Sequence, residues 1–204
     1  MNKRVNQNGV TTSINAEIFY DLNGKMVTKY ESPKEILVIN DSDGQIIMYD
    51  KNENTVVQNV NYAYSTENSN FFYFLNSDKR DMGLENMGFL LNKTEFDENM
   101  LVTSWQAPLE MRQHFSGIKL VLENNKPIYM DYSDNKGKII KKMFFSDFTD
   151  VKGKAFPKDI TEINYSKKDS IVSKTTFSNI IDNVPEAMNL LNFKIPENAK
   201  YIKK

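Results

Sequence analysis

The chain contains no cysteine, which removes disulfides, thiolate zinc ligands and cysteine nucleophiles and leaves the redox compartment open. Its one histidine, His114, sits in EMRQHFSG and reads as a structural or solvent-facing residue at a loop or strand start. A metal site would have to take all its other ligands from carboxylates. No segment approaches the roughly 20 apolar residues of a membrane-spanning helix, and the opening MNKRVNQNGV has no apolar signal-peptide region. Neither sign of charge is in excess, with 26 basic against 27 acidic residues, so no basic field exists to grip a phosphate backbone and nucleic acid is not an expected partner. The motifs G-x-S-x-G, G-x-x-x-x-G-K, H-E-x-x-H and G-x-G-x-x-G are also missing. With no nucleophile or acid–base pair to name, the expectation is a protein that is not an enzyme and carries no cofactor and no metal.

What is present is a succession of short strands. From Lys25 to Val57 apolar or aromatic residues recur at period two (Met26, Thr28, Tyr30), Ser32-Pro33 breaks the run, Ile36 to Ile39 resumes it, and Asp43-Gly44 precedes Ile46 to Tyr49. Asp-Gly between two such runs marks a hairpin, because a type I′ turn needs positive φ at its central residues. The order repeats as Ile118 to Leu122, Asn124-Asn125, Ile128 to Tyr132, Asn135-Lys136-Gly137 and Ile139 to Phe148. Further strands are expected at Thr12 to Tyr20, Thr55 to Val60, Leu101 to Gln106, Thr161 to Tyr165 and Ile171 to Phe177. At 204 residues and 40% hydrophobic content the chain can bury its core as one domain, residues 1–204. Asp41, Asp43 and Asp50 fall at hairpin ends, where a short carboxylate serves turn geometry, and Asp41-x-Asp43 lacks the downstream glutamate of a calcium loop. The pairs Lys141-Lys142, Lys167-Lys168 and Lys203-Lys204 lie on or beside expected strands and read as solvated charges.

The period changes between Ser65 and Asn92. NSNFFYFLNS places Phe71, Phe74 and Leu75 at i, i+3 and i+4 behind a Ser69 or Asn68 cap, a short helix. Met82, Leu84, Met87, Phe89, Leu90 and Leu91 follow, broken by Gly83 and Gly88, as a short helix or irregular segment. PEAMNLLNFKIPENAKYI suggests one helical turn after Pro185 and a last extended piece. A helix inserted in a meander either covers the apolar face of a sheet or acts as lid over a cavity. Ten methionines and thirteen phenylalanines suit an adaptable apolar pocket, and they fill ordinary cores equally well.

The segment SPKEILVINDSDGQIIMYDKNENTVVQ, with Pro33, Asp43, Gly44, Tyr49 and Asp50 in matching places, resembles the signature of the LolA-like periplasmic outer-membrane lipoprotein carriers: a proline, a strand, an Asp-Gly hairpin, a strand ending in Tyr-Asp, a turn and another strand. The resemblance covers most of residues 25–150, with NSNFFYFLNS as the family's short apolar helix. Ile47 stands where an aromatic neighbourhood is usual, Lys25 or Lys29 where an arginine contacts the lid, and no amphipathic helix precedes the first strand. Lys158 to Phe177 adds strand length similar to that of the larger lipoprotein-sorting relatives. The resemblance implies a mainly β fold with a few helices (α+β), an open, incomplete antiparallel β-barrel or half-barrel covered by a short helical lid. It further implies a non-enzymatic carrier of the acyl chains of lipoproteins or lipids, located in the periplasm with its leader outside this chain. Its partners would be an inner-membrane release complex and an outer-membrane acceptor. In such a half-barrel, inward candidates from the apolar strand faces are Ile18, Met26, Tyr30, Ile36, Val38, Ile47, Tyr49, Leu120, Leu122, Met130 and Phe144, with Phe71, Phe74, Leu75, Phe89 and Leu90 on the lid side. The competing expectation is an envelope protein-interaction module with a filled core and no ligand cavity.

Overall fold

A computed structural model describes residues 1–76, 79–166 and 169–202. The strands are β1 (Asn2–Gln7), β2 (Val10–Tyr20), β3 (Met26–Ser32), β4 (Ile36–Asn40), β5 (Gln45–Asp50), β6 (Thr55–Val60), β7 (Leu90–Asp97), β8 (Met100–Gln106), β9 (Phe115–Glu123), β10 (Lys126–Asp134), β11 (Ile139–Val151), β12 (Lys154–Tyr165), β13 (Ser170–Thr176) and β14 (Lys200–Tyr201). Two short helices accompany them, α1 (Asn70–Leu75) and α2 (Pro185–Leu191). The hydrogen-bonded order is β14-β6-β5-β4-β3-β2-β1-β13-β12-β11-β10-β9-β8-β7. The sheet is therefore open, ending at β14 and β7 instead of closing into a barrel. β14 runs parallel to β6, whereas the hairpin ladders from β2 to β6 and from β7 to β13 are antiparallel. The fold class is mainly β with a few helices, as the strand periodicity and the family resemblance both imply.

Two compact units divide the chain: Met1–Lys3, Ser13–Asn76 and Phe177–Lys204 form one, and Arg4–Thr12 with Ser77–Thr176 form the other. In the first unit, Val27, Leu37, Ile39, Tyr49 and Val56 are buried together with Leu191 and Ala199, and Phe19, Ile47, Ala187, Leu190, Phe193 and Ile195 pack against them. One face of β2–β6 is thus sealed by α2 and the chain that follows it. The other face carries α1. Ser69 Oγ accepts the Phe72 N–H at 3.2 Å, so of the two caps the sequence offers, Ser69 and Asn68, Ser69 is the one used. Six residues are too few to be stable as an isolated helix. Tertiary contacts hold α1: Phe74 is buried, and the Phe71 ring lies 5.6 Å from Tyr20 and 5.5 Å from Phe177.

In the second unit, the register sets Thr103, Leu120, Met130 and Met143 in one row across four strands, and Phe145 and Ile160 face each other in the next pair. Leu120, Met130, Met143, Phe145 and Ile160 are all buried. The turns that join these strands use the residues the geometry demands: Asn124 and Asn125 both have left-handed φ, +48° and +64°, as a type I′ hairpin requires.

Two strands differ from the sequence reading. β1 has a polar, non-alternating sequence, and only the left-handed pair Asn8 and Gly9 (φ +52° and +76°) marks its hairpin with β2. β7 includes Leu90 and Leu91, assigned above to a helical or irregular segment. All eight of its residues are exposed, so it has no buried face to imprint a period of two. The stretch before it, residues 80–88, is a series of turns with Met82, Gly83 and Gly88 at φ +54°, +77° and +81°, which breaks helical repetition.

Candidate functional site

The second unit contains an open apolar groove of about 570 Å³. Its floor is β8 and β9: alternation along β8 turns Leu101, Thr103 and Trp105 to one face, opposite Leu122, Leu120 and Ile118 of β9. Phe89, Leu90 and Leu91 form its apolar side, and Lys79, Arg80, Asp81 and Glu85 line it as well. The polar atoms of the floor satisfy one another. Trp105 Nε1–H donates to Thr103 Oγ1 at 2.9 Å, and Thr103 Oγ1–H donates to the Leu120 carbonyl at 3.2 Å. The floor therefore presents carbon to the groove. The turn above it is held by Asp81, whose carboxylate accepts the N–H groups of Gly83 (3.1 Å) and Glu85 (2.9 Å). Leu84 in the same turn is fully buried, and its carbonyl accepts the Phe89 N–H at 3.0 Å. Lys79 pairs with Glu85 at 2.8 Å, and Arg80 Nη1–H donates to Asn125 Oδ1 at 2.6 Å.

Of the residues expected at a cavity, Phe89, Leu90 and Leu122 come together in this groove. Leu120 and Met130 are buried in the same sheet face. Phe144 is on the opposite face, 5.1 Å from the Tyr129 ring. There Tyr129 donates to the buried Asp131 at 2.9 Å, and burial first, then that hydrogen bond, pushes the phenol well above its ordinary value.

The first unit separates the remaining candidates by register. Ile18 pairs with Thr28, Thr28 with Val38, and Val38 with Met48. Tyr30 and Ile36 face each other one row along, and Met26 stands beside Tyr20. Ile18, Met26, Tyr30, Ile36 and Val38 thus share one face, half-buried. Ile47 and Tyr49 belong to the other face, in the core under α2, where Phe193 lies 5.9 Å from Tyr49. Of the lid candidates, Phe71, Phe74 and Leu75 are in α1, on the Tyr20 side of the sheet. Tyr20 donates to Asn76 Oδ1 at 2.7 Å. Its phenol is pushed up to about 12 by burial and, to a smaller extent, by Asp21 and Glu67.

The turn carboxylates act as turn ligands: Asp41 accepts from Gln45 N–H, and Asp50 from the N–H groups of Asn52 and Glu53. His114 lies in the exposed turn before β9, its N–H on the Met111 carbonyl at 2.8 Å. Lys141 pairs with Glu162 at 3.1 Å and lies over the Tyr132 ring, while Lys167-Lys168 and Lys203-Lys204 lie outside the described residues. Among the described residues no helix is long and apolar enough to cross a membrane. The sequence reading did not single out Leu91, Leu101, Trp105 or Arg80. Its strand at Leu101 to Gln106 already implied that Leu101, Thr103 and Trp105 share a face; which face is open was not implied.

No protein-family model and no curated protein matches the chain. Solved structures do. A LolA superfamily protein from Nitrosomonas europaea aligns with a TM-score of 0.53 at 9% identity over 89% of this chain and 85% of that one. A domain assigned to outer membrane lipoprotein sorting, from Vibrio parahaemolyticus, aligns with a TM-score of 0.54 at 12% identity over 93% and 88%. A DUF1329 family protein from Desulfovibrio piger gives 0.50 at 15% identity over 89% and 85%. The chain has the LolA-like fold.

Proposed function

We propose that this protein is a non-enzymatic carrier, a single lipid-binding domain that shields acyl chains of lipoproteins or lipids for transfer to the outer membrane. The observation that carries this reading is the carbon-lined groove of Leu101, Trp105, Leu122 and Phe89 to Leu91, whose volume of about 570 Å³ falls in the range of ligand clefts, roughly 300–1,000 Å³. Each methylene moved from water into such a surface contributes about 0.8 kcal/mol. Chain length therefore sets the apolar part of the affinity. The half-buried face of Ile18, Met26, Tyr30, Ile36 and Val38 offers a second apolar surface, with Phe71, Phe74 and Leu75 of α1 as its cover. Exchange of cover–sheet contacts for cover–acyl contacts of similar energy would leave a modest barrier to release. The LolA-like fold supports a periplasmic location; in this reading an inner-membrane release complex and an outer-membrane acceptor are the partners.

The test is titration of the delipidated protein with a fluorescent fatty acid, competed by a triacylated lipopeptide. Trp105, the chain's one tryptophan, reports from the groove itself. Saturable uptake displaced by the lipopeptide and lost in a folded Leu101→Asp variant is the expected result. No uptake by folded wild-type protein would sink the carrier reading and favour an interaction module acting through its outer surface.

A further inference from the structure

Arg80 is exposed and lines the apolar groove, and it differs from the other charged residues there. Lys79 is paired with Glu85 at 2.8 Å. Asp81 accepts two backbone N–H groups of its own turn, those of Gly83 and Glu85. Arg80, among the described residues, has no carboxylate partner. Its one hydrogen bond among the described residues is from Nη1–H to Asn125 Oδ1 at 2.6 Å, in the tight turn that leads out of β9, three residues beyond Leu122 of the groove floor. A guanidinium has five N–H donors in a planar fork. The Asn125 contact orients the fork and leaves most of its donors free to receive a two-oxygen anion in bidentate fashion. A cation with no carboxylate partner among the described residues, beside a carbon-lined groove, has the complementarity of an amphiphile, one end anionic and the other apolar.

We infer that the groove takes a single-chain anionic amphiphile, its acyl chain along Leu101, Trp105 and Leu122 and its head, a carboxylate or a phosphate monoester, on the Arg80 fork. This inference rests on the carrier reading and adds a head-group preference to it. It gives the groove a direction, since a ligand held at one end by charge enters with its chain pointing away from Arg80. It also implies that neutral acyl chains bind more weakly and leave more readily.

Trp105 fluorescence measures the binding of oleate, 1-oleoyl lysophosphatidate and neutral mono-oleoylglycerol to wild type, Arg80→Gln and Arg80→Lys, each variant first shown to melt like wild type. At least one anion is expected to bind wild type about fivefold more tightly than the neutral lipid, the upper end of what an ion pair contributes at an exposed site. That advantage disappears in Arg80→Gln, partly returns in Arg80→Lys and shrinks with added salt, while the neutral lipid's affinity stays unchanged throughout. The stronger anion identifies the head. Equal affinities in wild type, or an anion advantage that survives Arg80→Gln, overturn the head-group assignment and leave the carrier reading standing. No binding of any of the three overturns the carrier reading at this groove as well.

Discussion

Leu120 shows how a single residue is committed in this sheet. It has no exposed surface, and its row neighbours are Thr103 on β8 and Met130 on β10. Leu120→Ala is expected to cost about 2–5 kcal/mol, the transfer term plus the cavity left behind. Urea unfolding checks this, and a loss below about 1 kcal/mol would mean that the site collapses around the gap. Asp159 is committed by charge. It accepts from Thr176 Oγ1–H at 2.7 Å and from Lys174 Nζ at 2.9 Å, and these contacts, the hydroxyl foremost, hold its carboxyl below the usual carboxylate range. A lowered carboxyl adds stability above its unfolded pKa, near about 3.9, and loses it as pH falls through the folded value. The stability difference between wild type and Asp159→Asn should therefore be constant from neutral pH down to about pH 5 and shrink below that. A difference that stays flat to the acid limit of folding would refute the assignment.

At the scale of elements, α1 depends on aromatic contacts more than on its own sequence. Ser69 supplies a cap and Phe74 is buried, yet six residues make too few intrahelical bonds to persist alone. Removing the Phe71 ring takes away its contacts with both Tyr20 and Phe177. Phe71→Ala should therefore abolish amide exchange protection across Asn70–Leu75 while β3, β4 and β5 stay protected, because their core of Val27, Leu37 and Tyr49 lies on the opposite face. Protection lost across all of these strands together would show that α1 is part of the core, not a cover. Tyr20 gives the same element a pH limit. Its phenol, pushed up to about 12, stabilises fully below the unfolded tyrosine value of about 10 and loses that contribution as pH rises through the folded one. Alkaline loss of α1 protection should be later than the ionisation of exposed tyrosines, and Tyr20→Phe should uncouple the two.

For the whole molecule, a net charge of −1 means that binding has little long-range field to draw on. Uptake of a neutral acyl probe should change little between low and high salt, whereas a protein reading a phosphate backbone would lose orders of magnitude. A steep salt dependence for the neutral probe would contradict a mechanism based on burial. The sequence by itself determined what neighbouring residues can encode: Asp43-Gly44 and Asn124-Asn125 mark hairpins, although only the asparagine pair has the two left-handed φ values of a type I′ turn and at Asp43-Gly44 Gly44 alone is left-handed; alternation around Leu37, Ile39, Leu120 and Leu122 specifies strands, and Ser69 with Phe71, Phe74 and Leu75 specifies a short helix. β1 and β7 escaped that reading because a strand without a buried face carries no period, although Asn8-Gly9 marks the first of them. Tertiary structure alone decided that Val38 lies in register with Met48 while Ile47 and Tyr49 turn to α2, and that Arg80 meets Asn125 beside Leu101 and Trp105. The reason is physical: turn chemistry and side-chain alternation act within a few residues, but register, shared faces and grooves arise from pairings between strands far apart in the chain, each set by the burial of all the others.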